Sequence, residues 1–211
     1  MSDETTRTRI LSAAGETFAE RGFEKTTIRE ICRLAEVNLA SVNYHFGDKD
    51  RLYVEAIKHA HRMRVAQAPL PVWSPGTPPE TRLRDFVQTT LTWMLMEGQP
   101  WQHQLMVREM TRPSGACREM VEDFIRPHFK LLLSILAELA PHDAPPHRLH
   151  QLGFSVIGQC LFYKFNREVI QMLIPEAERR RHFTLDHLAE HIASVVLAAL
   201  DRQPKLFSKE N

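Results

Sequence analysis

Residues 26–49 read TTIREICRLAEVNLASVNYHFGDK, and the fold turns on this stretch. Thr27 followed three residues later by Glu30 has capping-box spacing, so a helix starts there. Ile28, Ile31, Cys32, Leu34 and Ala35 recur at helical spacing and supply its apolar face. Glu36 and Val37 make a turn. Asn38 is a good N-cap for a second helix, Leu39 to His45, whose outer face carries Ser41, Asn43, Tyr44 and His45. Val42 and Phe46 are expected to point into a small core instead. Two short helices across a tight turn make a helix-turn-helix, in which the second helix enters the major groove of DNA.

Outward from this motif, the chain reads as helix almost throughout, with no convincing period-two strand and no internal repeat. A first helix runs from about Thr5 to Arg21, with Ile10, Ala14 and Phe18 on one face and Gly22 as its stop. Asp48 caps a fourth helix that carries Leu52, Tyr53 and Ile57 and continues to about Gln67. Residues 69–79 hold five of the thirteen prolines plus Gly76, so no continuous helix can cross them. Beyond lie helices from about Glu80 to Glu97 and from Pro100 to Thr111. A segment from Gly115 to Leu139 is expected to kink or break at Pro127. After a loop at Pro141–Pro146, two amphipathic stretches, about His147–Leu173 and Thr184–Arg202, complete the chain. Pro175 and the charged run Glu176–Arg181 separate them, and a polar tail after Pro204 is expected to fray.

The expected fold class is therefore all-α. An N-terminal three-helix domain with the helix-turn-helix covers 1–66 and includes the start of a connecting helix. A Pro-rich loop follows at 67–79, and a larger helical domain at 80–211. At 211 residues, with 43% hydrophobic and 25% charged residues, the chain can bury an ample core. A net charge of +1 is no nucleic-acid signature by itself, because a DNA reader needs only a local basic face. Arg29, Arg33, Lys49 and Arg51 could supply one; solvated surface charge is the plainer reading of each. No apolar run approaches the length of a membrane span, and the start MSDETTRTR lacks the apolar core of a signal peptide. Cys32, Cys117 and Cys160 are far apart and odd in number, which fits free, reduced thiols in a cytosol.

The first 60 residues resemble the DNA-binding domain of the TetR/AcrR family of bacterial transcriptional regulators. The resemblance rests on Phe18-Ala19-Glu20-Arg21-Gly22-Phe23 at the end of the first helix and on the Thr26-Thr27 pair opening the second. It rests also on Tyr44-His45-Phe46 followed by Lys49 and Leu52. Two positions depart from the pattern: Glu36 stands where the turn usually has Gly, and Asn43 where a Tyr is frequent. The first points to a slightly different turn, the second to a different base or phosphate preference. The resemblance implies that Thr27 touches a phosphate at a helix N-terminus and that Tyr44, His45 and Lys49 contact backbone. Leu39, Ala40, Ser41 and Asn43, behind the cap Asn38, are best placed to face bases. For Tyr44 the alternative is packing against the fourth helix.

The same resemblance implies a second domain that binds a small effector and forms a homodimer through the helices near 147–173 and 184–202. In the last helix Leu185, Leu188, Ile192, Val195, Val196 and Ala199 recur at helical spacing, as an interface or as plain core. The region from Phe86 to Phe162 is rich in aromatics and methionine. Trp93, Trp101, His103, Met106, Arg108, Met110 and Phe129 are candidates for an effector site, against the alternative of a solid core. Arg108 and Glu109 are either a ligand-orienting pair or an ordinary salt bridge. The function implied is a ligand-responsive regulator, most simply a repressor on a palindromic operator, released by a hydrophobic or aromatic effector. An enzyme is the main rival. His187/His191 and His147/His150 have metal-ligand spacings, but no third ligand stands beside either pair. No phosphate loop, nucleophile elbow or paired-carboxylate arrangement occurs, so neither catalytic residues nor a cofactor or metal are expected.

Overall fold

The computed structural model describes residues 3–96 and 98–202, and among these the regular structure is helical. The helices are α1 (Asp3–Lys25), α2 (Ile28–Leu34), α3 (Leu39–Phe46), α4 (Lys49–Gln67), α5 (Pro79–Leu95) and α6 (Pro100–Thr111). They continue with α7 (Ala116–Met120), α8 (Arg126–Leu139), α9 (Pro146–Phe165), α10 (Arg167–Leu173), α11 (Glu176–His182) and α12 (Leu185–Arg202). The tail beyond Arg202 and Glu97 lie outside the described residues.

The chain packs as two compact units. One takes residues 3–67 together with 98–126, the other 68–96 together with 127–202. This division by packing differs from the linear one read from sequence, because α6 and α7 join the N-terminal helices. The reason is visible on α6. Trp101, Leu105 and Glu109, four residues apart, form one buried stripe on that helix. Trp101 lies flat on Gly15 of α1, where an added Cβ would come within 2.2 Å of its ring. Only glycine permits that approach.

The core of the first unit is built from Ile10, Ala14 and Phe18 of α1, Ile31 of α2, Val42 and Phe46 of α3, and Leu52, Tyr53 and Ile57 of α4. Phe18, Phe23 and Tyr53 form an aromatic cluster, with Phe18 and Tyr53 edge-to-face at 4.8 Å. Gly22 ends the first helical run with φ 80, as its place in the sequence predicts.

In the second unit α12 lies along α5, and α8 and α9 complete the core with Leu132, Ile135, Leu136, Val156 and Cys160. Pro127 does break the segment 115–139. A π-helical turn, Val121–Ile125, leads into α8, with Arg126 N–H donating to Val121 C=O, five residues back. The wider turn accommodates a proline that has no N–H for the ladder. The stretch 147–173, read as one, divides at Asn166 into α9 and α10, and the charged run after Pro175 is itself a helix, α11.

No single helix among the described residues is long and apolar enough to cross a membrane. Only α11 and α12 taken together pass by length and composition, and they are bent by 70°. Cys32, Cys117 and Cys160 are free. Burial pushes the Cys32 thiol up and the Cys160 thiol to about 12, so both stay protonated at neutral pH.

Candidate nucleic-acid interface

The helix-turn-helix is assembled by two side-chain caps. Thr27 Oγ1 accepts the Glu30 N–H at 3.3 Å and Asn38 Oδ1 accepts the Ser41 N–H at 2.8 Å. Each satisfies a backbone donor that a helix start leaves open, which is worth about 1 kcal/mol. The Glu30 carboxylate turns to Arg21, 2.7 Å from Nη1, and so ties α2 to the end of α1. Between the helices Val37 N–H donates to Cys32 C=O at 3.0 Å, closing the turn, and Glu36 sits at φ 52. Glu36 therefore adopts the left-handed conformation that glycine takes without cost. The turn keeps its usual shape and carries the strain, where the sequence had pointed to a different turn.

With α3 held in this way, Val42 and Phe46 point inward, 1% and 5% exposed. Leu39, Ala40, Asn43 and Tyr44 face outward, Tyr44 at 79% exposure, so it does not pack against α4. Ser41 is half-buried and its hydroxyl donates to Asn38 Oδ1 at 3.0 Å. Two sequence candidates sit elsewhere than on the open face. The His45 side chain is only 6% exposed, with Nε2 3.4 Å from Asp3 Oδ1 at the start of α1. Three residues after Val42 and one before Phe46, His45 borders the inward side of the helix. The Lys49 ammonium lies 4.5 Å above the Phe23 ring and donates to Glu24 C=O at 3.5 Å.

Of the four cations proposed for a basic face, Arg29 and Arg33 are exposed. Arg51 pairs with Glu55 at 3.0 Å and with Glu119 at 3.2 Å, which neutralises its charge locally. Lys58 reaches Glu119 and Asp123, both at 2.7 Å. These pairs, and Arg7 with Glu55 at 2.8 Å, carry no sequence signal, because each joins residues from separate helices.

The seven effector candidates fall in both compact units. In the first, Trp101 is a core residue and Met106 packs against that core; His103 is half-buried and Met110 exposed. Arg108 lies over Gly22, its Nη1 2.2 Å from where a Cβ would stand. Glu109 is fully buried. Its carboxylate accepts the Tyr53 hydroxyl at 2.9 Å and both the N–H and hydroxyl of Ser114 at 2.7 and 2.9 Å. Neither reading of an Arg108–Glu109 pair describes this arrangement. In the second unit Trp93 Nε1 donates to Ala68 C=O and its ring sits 4.7 Å from that of His128. Phe129 stacks on Phe154 at 5.0 Å. Of the α12 stripe, Leu188, Ile192 and Val196 are core within the chain, while Leu185 and Val195 remain exposed.

A capped helix-turn-helix with an open recognition face, followed by further helices, defines a helical DNA-binding regulator. Residues 10–56 match the family model described as "Bacterial regulatory proteins, tetR family", and residues 79–200 match "HTH-type transcriptional dual regulator CecR, C-terminal domain". The dual regulator CecR of Shigella flexneri is 24% identical over 178 residues, 79% of each chain. The transcriptional repressor NicS of Pseudomonas putida is 32% identical over 84 residues, 40% of this chain and 39% of that one. A crystal structure of a TetR-family regulatory protein from Rhodococcus RHA1 superposes with a TM-score of 0.62 at 18% identity, covering 98% of both chains. The chain belongs to the TetR family of transcriptional regulators. Regulators of this family bind DNA and act as dimers with small-molecule effectors.

Proposed function

We propose that this protein is a ligand-responsive repressor that binds a near-palindromic operator as a homodimer and is released by a small hydrophobic or aromatic effector. The observation that carries the reading is the recognition face of α3. Leu39, Ala40, Asn43 and Tyr44 are exposed on a helix fixed from behind by Val42 and Phe46 and from its start by Asn38. Leu39 and Ala40 suit a thymine methyl, Asn43 a bidentate pair with adenine, and Thr27, Tyr44 and Lys49 the backbone. His45 acts in this reading through its contact with α1, as a positioning residue. Division of labour follows the lines 1–66 for DNA and 80–211 for effector and dimer, which implies a cytoplasmic protein.

Dimerisation through α9 and α12 is supported by the apolar side chains these helices leave exposed. Phe154, Phe162 and Phe165 are 65, 52 and 52% exposed on α9, and Leu185 and Val195 are 36 and 43% exposed on α12. An effector that favours one separation of the two DNA-reading heads then shifts the population and lowers DNA affinity. A second reading, regulation of both signs, is favoured by the match of residues 79–200 to the C-terminal domain of a dual regulator.

The test is selection of randomised duplexes by the purified protein, with Asn43→Ala beside it. An enriched palindrome that the variant fails to recover is expected. No enrichment by the wild type as a confirmed dimer at low salt would sink the reading.

A further inference from the structure

Within the second unit lies a cavity of about 360 Å³ to which none of the seven effector candidates contributes. Its size is at the small end of ligand pockets. Leu95 from the end of α5, Tyr163 of α9, Ile170 of α10, Phe183 and Leu188 of α12 form an apolar wall. Every charged residue in its lining is a cation: Lys164, Arg167, Arg179 and Arg180. Two of the four have defined partners. Arg180 pairs with Glu176, one turn away, which offsets its charge. Arg179 donates from Nε to Ile174 C=O at 3.0 Å, and this bond fixes the guanidinium at the pocket while its terminal nitrogens keep further donors.

Four cations gathered from α9, α10 and α11 around an apolar hollow repel one another, and burying any of them without an anion is costly. A neutral hydrocarbon would fill the wall and leave the rim uncompensated. Inorganic phosphate would meet the rim and leave the wall wet. A molecule with both parts satisfies both surfaces, and the planar fork of an arginine matches a carboxylate with two parallel hydrogen bonds.

We infer that this pocket binds a small organic anion, a carboxylate carried on an aromatic or short alkyl body, with the carboxylate at the cationic rim and the hydrocarbon against Tyr163 and Phe183. The inference rests on the ligand-responsive reading above and narrows the chemistry of its effector. It also moves the effector site away from the tryptophan- and methionine-rich segment to the α9–α11 corner of the second unit.

The experiment is calorimetric titration of the full-length protein, without DNA, using naphthalene-2-carboxylate, octanoate, the neutral 2-naphthamide and inorganic phosphate as probes. At least one carboxylate is expected to saturate a site, with the amide and phosphate bound at least about tenfold more weakly. Arg167→Gln is expected to abolish that preference at unchanged circular dichroism and melting temperature, and Arg167→Lys to restore part of it. The inference is overturned if neither carboxylate binds below about 1 mM, if amide or phosphate binds as tightly, or if Arg167→Gln and Lys164→Gln both leave binding intact. Because no DNA is present, such a failure leaves the duplex selection untouched. A protein that binds the carboxylate and no duplex would sink the regulator reading and leave the pocket standing.

Discussion

The Tyr53 hydroxyl donates to Glu109 Oε2 at 2.9 Å, joining α4 to α6 with both side chains closed off from solvent. Ser114 supplies the remaining donors to the same carboxylate, so a buried charge is held by three hydrogen bonds. Removing one partner is far less costly than removing the hub. Tyr53→Phe should lower the unfolding free energy by about 1–2 kcal/mol, since Ser114 still serves the carboxylate. Glu109→Ala should cost about 3 kcal/mol or more, because it leaves the phenol unsatisfied and opens a cavity. Urea denaturation midpoints measure both. Equal midpoints for the two variants would contradict the hub.

The strain at Glu36 is separable from its side chain, which is exposed. Glu36→Gly relieves the left-handed backbone and gives back part of the gain as unfolded-chain entropy. A net stabilisation of about 0.5 kcal/mol is expected. Glu36→Val should destabilise by about 1 kcal/mol, since a branched Cβ fits this conformation worst. Thermal melting of the two variants, read against wild type, must show opposite signs.

Asn38 combines a structural and an electrostatic position, and one pair of substitutions separates them. Asn38→Ala removes the cap and should cost about 1 kcal/mol of stability. Asn38→Asp keeps a cap of equal quality, so melting should hold. Its negative charge beside the recognition face should still weaken duplex binding, most at low salt. If Asn38→Asp binds duplex as well as wild type across a salt series, α3 does not approach phosphate at its start.

His59 on α4 predicts the acid limb of the stability curve. Its imidazole is held below its ordinary pKa of 6.5, first by burial and then by Arg62 and Arg7, with Glu4 opposing. In the unfolded chain the ring takes a proton as pH falls through about 6.5, whereas in the folded protein it resists. The unfolded state therefore binds more protons, and stability present above about pH 6.5 is lost as pH falls towards the lowered folded value. His59→Leu should flatten the slope of stability between about pH 6.5 and 5. Denaturation midpoints at a series of pH values check this, and an unchanged slope would refute it.

Much of the fold was legible in the sequence because its signals are local. The caps Thr27 and Asn38, the stop at Gly22, the break at Pro127 and the start at Pro100 each depend on a few neighbouring residues and on backbone sterics. The recognition face was legible in its main lines for the same reason, since helical spacing alone separates Val42 and Phe46 from Asn43 and Tyr44.

Partners distant in sequence were not legible. Periodicity gives an angle around a helix and says nothing of what lies there, so His45 was read as facing DNA although Asp3 sits beside it. Trp101 and Met106 look like ligand residues on an isolated α6, and only the glycine at position 15 turns that helix towards α1. The cationic pocket has the same origin. Lys164, Arg167, Arg179 and Arg180 are scattered through a segment that reads as ordinary surface charge, and the bends at Asn166 and Pro175 bring them to one cavity. By itself the sequence determined the helices, their ends and the helix-turn-helix, because those follow from local propensity and capping. Which residues meet across helices was decided by the tertiary structure, because burial and charge pairing between distant segments are set only when the chain closes on itself.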